Sequence, residues 1–106
     1  MLRITEAAAH QILEQEKQTD AEGLVLRIAA KTNQDGSFEY GMGFDDEKEE
    51  DVKSTQFTVS IVMDPQSAEL LDDATMDFVE IEPGQHHFVF SNPLDPNYIP
   101  PKKEKR

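Results

Sequence analysis

Apolar and polar positions alternate along most of this chain, and the period changes at a few clear points. Leu2 and Ile4 read as a short entry strand. Over Glu6–Lys17 the period becomes helical, with Ala8, Ala9, Ile12 and Leu13 on one face and Gln11, Glu14 and Gln15 on the other. Thr5 stands at the N-cap position, and Glu6 in the first turn complements the helix dipole. The stretch TDAEG, ending in Gly23, closes the helix. From Leu24 to Ala30 the period is two, which places Leu24, Leu26 and Ile28 on one side. KTNQDGS follows as a loop of turn formers. In FEYGMGF (38–44), Phe38, Tyr40, Met42 and Phe44 alternate with Glu39, Gly41 and Gly43, which predicts a half-buried strand. The glycines on its outer face predict a bend, a bulge or the close approach of another backbone.

After the acidic stretch Asp45–Asp51, TQFTVSIVM (55–63) predicts one strand with Phe57, Val59, Ile61 and Met63 on a single face. Asp64-Pro65 supplies an N-cap and a first-position proline for a short helix through about Leu71. Met76–Glu82 and His86–Ser91 read as strands around the turn Pro83–Gln85. The aromatic and methionine positions Phe38, Tyr40, Phe57, Met76, Phe78, Phe88 and Phe90 follow the alternation and are expected in the core. Pro93 cannot donate to a ladder and holds Asn92 extended, which ends the last strand. Two helices and about six strands, mostly with hairpin-like connections, predict an α+β domain built around a compact β-sandwich. The domain is expected over residues 1–93, followed by a flexible, Pro-rich, basic tail at 94–106.

Three segments carry a resemblance: ITEAAAHQIL (4–13), LRIAAKT (26–32) and the run DPQSAELLDDATMDFVEIEPGQHHFVFSNP (64–93). In this order they resemble the HesB-like, or A-type iron–sulfur carrier, family, with its "xxDFV" strand and later "FxFxNP" strand end. The resemblance implies two mixed sheets, a long N-terminal helix and a shorter second one. It also implies protein partners among iron–sulfur assembly factors, and pairing into homodimers. Family members hold their cluster through three cysteines, one in a Gly/Ser-rich loop and two in a C-terminal C-G-C. Matched segment by segment, these fall on Asp35, Ile99 and Pro101. This chain has no cysteine at all.

That absence changes the chemistry. Iron–sulfur clusters are held by soft thiolates. Asp35 offers only a hard oxygen, Ile99 no side-chain donor, and Pro101 only its carbonyl. Family-type cluster ligation is therefore not expected, and Asp35 reads as a loop residue bonding nearby backbone. A mononuclear metal site is the alternative, built from His87 with Asp35 or Glu39. Adjacent strand residues face opposite ways, so His86 and His87 do not readily share an ion. His86 falls with Phe88 and Phe90 on the apolar parity and His87 on the outward one. His10 lies on the polar flank of the first helix.

The net charge of −12, from 22 acidic and 10 basic residues, disfavours nucleic acid and anionic membrane surfaces as partners. DDEKEED (45–51) lacks the spacing and terminal glutamate of a calcium loop and reads as a solvated hairpin connection. The basic KKEKR (102–106) has the sign to contact it. Without cysteine there is no thiol nucleophile, and no serine lies in a G-x-S-x-G context. The glycines of QDGSFEYGMG fit neither phosphate-binding fingerprint. A non-catalytic protein is expected. No span of about 18 apolar residues and no secretory h-region are present, so a cytoplasmic location is expected.

Overall fold

A computed structural model describes residues 1–20 and 23–96. The elements run β1 (Arg3–Ile4), α1 (Glu6–Gln18), β2 (Val25–Thr32), β3 (Phe38–Asp45), β4 (Val52–Gln56), β5 (Val59–Met63), α2 (Pro65–Leu70), β6 (Thr75–Glu82) and β7 (Gln85–Ser91). They form two mixed sheets, one ordered β1-β6-β7 and one ordered β3-β2-β5-β4. The α+β architecture expected from the sequence is the one observed. Ile99, Pro101 and the basic KKEKR lie outside the described residues.

Both helices start where their caps stand. The Thr5 hydroxyl accepts from Ala8 N at 3.1 Å and donates to Asp77 Oδ1 at 2.6 Å, so the cap also ties α1 to β6. Asp64 accepts from Ser67 N at 2.8 Å, with Pro65 in the first turn of α2. α1 ends at a Thr19 cap followed by Asp20 in the left-handed region, at φ 57°.

The core is mainly aliphatic. Leu2, Ile12, Leu26, Ile28, Ile61, Met63, Leu71 and Met76 are fully or almost fully buried. Tyr40, Phe78, Phe88 and Phe90 pack against this cluster only half-buried, because β3 and β7 are the outer strands of their sheets. Phe38 is likewise half-buried. Leu24 precedes β2 and is surface-exposed, so the buried row of that strand is Leu26, Ile28 and Ala30.

Phe57 corrects the core expectation. The run 55–63 is two strands, because the chain reverses at Phe57-Thr58 and Gln56 pairs with Val59. Both turn residues have positive φ, 48° and 64°, and Phe57 is 53% exposed. Two-residue hairpin turns of this hand favour Asn-Gly. Phe-Thr has no such chemistry, so alternation alone carried the predicted strand straight through the turn.

The two sheets are fastened on both sides by side chains. Gln56 accepts from Ile4 N at 2.9 Å and donates to Leu2 O at 2.9 Å, so one carboxamide links β4 to β1 as a strand backbone would. Opposite, the Tyr40 ring of β3 stacks on Phe90 of β7, with centroids 4.5 Å apart and planes 6° from parallel. Beyond the short β2–β5 pairing, Ser67 of α2 takes over the edge of β2. Its hydroxyl accepts from Ala30 N at 3.1 Å and donates to Ala30 O at 3.3 Å.

Left-handed backbone costs an ordinary residue about 1–2 kcal/mol. Replacing Phe57-Thr58 by Asn-Gly should therefore raise stability by about 1–2 kcal/mol. Urea unfolding checks this: the midpoint should rise at unchanged slope.

Candidate functional site

The loop Asn33–Ser37 joins β2 to β3 and carries the first position matched to a cluster ligand. It is closed by its own groups. Asn33 N donates to Ser37 O at 2.7 Å and Gly36 N to Asn33 O at 3.0 Å, with Gly36 at φ +89°. Asp35 Oδ1 accepts from Ser37 N at 3.0 Å and from the Ser37 hydroxyl at 2.6 Å. The Ser37 hydroxyl, and then the Ser37 amide, hold the Asp35 carboxyl below its ordinary pKa. Asp35 is the turn former that its sequence context predicts.

The histidines stand apart from this loop in sequence and on different faces of β7. His86 stacks on Phe78, with centroids 5.5 Å apart, at the exposed end of the aromatic row. His87 is exposed and opposite Val79. Among the described residues, no three His, Asp or Glu side chains come together in a group able to hold a metal ion.

The acidic connection differs from the expected hairpin. β3 and β4 lie at opposite edges of their sheet and run parallel, so the loop Asp46–Asp51 is a crossover. Three strand intervals amount to about 14 Å. Arg27, on the opposite face of β2 from Leu26 and Ile28, gathers both ends of that crossover. Its Nε donates to Asp45 Oδ2 at 2.8 Å, and its two terminal nitrogens reach Asp51 at 2.9 and 2.6 Å. One of them also donates to Asp46 O at 3.0 Å. Two of the acids read as solvated are thus ligands of one guanidinium, and the Asp51 side chain is only 1% exposed. The Arg27 hydrogen bonds pull the Asp51 pKa down to about 2 and, after an Asp46 amide bond, lower that of Asp45. A lone arginine in LVLRIAA, followed by an acid-rich stretch, was the available sequence clue.

Asp77 and Asn92, the polar residues of the two motifs, are structural fasteners. Asp77 Oδ1 accepts from the Thr5 hydroxyl and from Phe78 N at 2.8 Å. Asn92, 1% exposed, donates to Leu70 O at 2.9 Å and accepts from Leu94 N at 3.1 Å. Asp95 N then donates to Asn92 O, and the Tyr40 hydroxyl donates to Asp95 Oδ2 at 2.7 Å. Burial, followed by that bond, raises the Tyr40 pKa well above the ordinary range.

This arrangement of helices and mixed sheets is shared with solved structures of iron–sulfur proteins. A crystal structure of IscA with its [2Fe-2S] cluster superposes with a TM-score of 0.70 at 28% identity, covering 88% of this chain and 86% of that one. Escherichia coli SufA, at TM-score 0.76 and 24% identity over 93% of this chain and 86% of that one, shares the fold. In sequence, the iron–sulfur cluster insertion protein ErpA of Alkalilimnicola ehrlichii is 33% identical over 93 residues, 87% of this chain and 75% of the relative. A Bacillus subtilis protein described as uncharacterized protein SufA is 32% identical over 91 residues, 85% of this chain and 75% of the relative. The family model for iron–sulphur cluster biosynthesis matches residues 1–98, and the chain belongs to that family.

The residues present do not fit the cluster that the family implies. No thiolate exists anywhere in the sequence, and the carboxylate at position 35 is engaged by Ser37. Among the described residues, no helix is long and apolar enough to cross a membrane.

The Arg27 clamp predicts a pH dependence. Asp51 has a depressed folded-state pKa, so its contribution is complete above the ordinary 3.8 and is lost as pH falls through about 2. Thermal melts should show wild type losing stability across that window more steeply than Asp51→Asn. Parallel curves would remove the clamp from the account of acid stability.

Proposed function

We propose that this chain is a non-catalytic, cluster-free member of the iron–sulphur cluster biosynthesis family. It acts in the cytoplasm, as a homodimer, by binding proteins of the assembly machinery as an accessory or regulatory module. The observation that carries this reading is the contrast between site and scaffold. Cysteine is absent from the whole sequence, while Asp77 and Asn92 remain fully engaged in holding the fold. Selection on a carrier's surface without its ligands suits a protein that meets the same partners and carries no cluster. The metal-binding alternative has no support in the placement of Asp35 and His87, since Asp35 serves its own turn.

Two experiments test the reading. Under anaerobic incubation with iron, sulfide and a cysteine desulfurase, the wild-type chain should develop no visible sulfur-to-iron charge-transfer band. The triple variant Asp35→Cys, Ile99→Cys, Pro101→Cys should gain one. A stoichiometric chromophore in the wild type would overturn the cluster-free assignment. Affinity capture from native extract should recover iron–sulfur assembly proteins, with no stoichiometric iron or zinc by elemental analysis of the same sample. Recovery of metal without such proteins would refute the accessory role.

A further inference from the structure

The β4–β5 turn holds an aromatic and a β-branched residue in a backbone region that neither favours. Strain of this kind persists where the surroundings impose it and clusters at working surfaces. Here it holds Phe57 53% exposed at the tip of a hairpin. The neighbouring turn residue, Thr58, lines a groove of about 220 Å³ between α1, the start of β2 and the end of β3. Ile12, Leu13, Leu24 and Phe44 give the groove apolar walls, and its volume suits one large aliphatic or aromatic side chain.

The polar surroundings of the groove have one dominant sign. Glu16 lines it from α1, whose last turns also carry Glu14 and the single base Lys17. On the other side, Phe44 leads directly into Asp45–Asp51, whose Asp46, Glu49 and Glu50 side chains are not engaged by Arg27. The chain as a whole has a net charge of −12. A second copy would bring the same acids to the same rim and be repelled, whereas a basic segment would be steered in. Exposed aromatics beside an apolar recess are the usual anchors of such contacts.

We infer that the groove between α1 and the β4–β5 turn, with Phe57 beside it, is a docking site for a partner-protein segment that presents a large apolar side chain flanked by lysine or arginine. This rests on the protein-binding reading and gives that reading a location and a partner chemistry.

The test titrates two synthetic amphipathic helical peptides into the full ¹⁵N-labelled chain, one of leucine and lysine and one of leucine and glutamate. The leucine–lysine peptide should shift the amides of Leu13, Glu16, Leu24, Phe44 and Thr58, and the leucine–glutamate peptide should leave them in place. Phe57→Asn with Thr58→Gly, expected to fold more stably, should weaken the interaction at least tenfold. Leu24→Glu should weaken it independently. Shifts confined to Asp46–Glu50 would overturn the site as a bare charge contact, and so would unchanged affinity in both variants. Sedimentation showing a dimer that the Asn-Gly turn abolishes would overturn it in favour of a second copy. A groove silent to the peptide, while capture still recovers assembly proteins, would refute this location and leave the accessory role standing.

Discussion

The four-stranded sheet depends on one arginine. Its outer strands β3 and β4 are parallel and three strand intervals apart, a connection that usually takes a dozen residues and a helix. Here the short loop Asp46–Asp51 makes the crossing, and Arg27 bonds to its carbonyl at one end and its carboxylate at the other. A buried carboxylate such as Asp51 is tolerable only with a matched partner, and the forked guanidinium supplies a two-pronged one. With β4 delivered to the far edge, Gln56 comes within hydrogen-bonding distance of β1. The union of the two sheets is therefore downstream of a charge contact on the outer face.

The same fasteners explain how a carrier scaffold persists without its ligands. Asp77 joins the cap of α1 to β6, and Asn92 joins the end of β7 to the end of α2. Neither contact involves the positions matched to cysteines. The motifs that identify the family in this chain are thus requirements of folding, and they stay under selection whatever the loops carry. Losing the thiols leaves these bonds untouched.

What was legible in the chain follows from the range of the interaction. Thr5, Asp64-Pro65 and the Asp35 turn act within three or four residues, so their local sequence contains their geometry. The inward rows of β2, β3 and β6 follow from alternation. The Phe57-Thr58 reversal was hidden because its residues carry no turn chemistry, and the hairpin gains its stability from pairing along β4 and β5. Arg27 with Asp51, Gln56 with β1 and Ser67 with Ala30 join residues 24, 52 to 54 and 37 positions apart. No local pattern encodes those distances. The family resemblance supplied the sheets' general arrangement, but not the bonds that secure it.

Ser67 has a consequence for solubility. Where β5 stops short, the remaining edge of β2 would show an unpaired amide and carbonyl at Ala30, a template on which a foreign strand could grow. A hydroxyl from α2 occupies both groups at once, 2% exposed and within a helix that cannot itself extend the sheet. The domain thereby blunts a sticky margin with a single side chain, independently of the like-charge repulsion that its acidic surface provides.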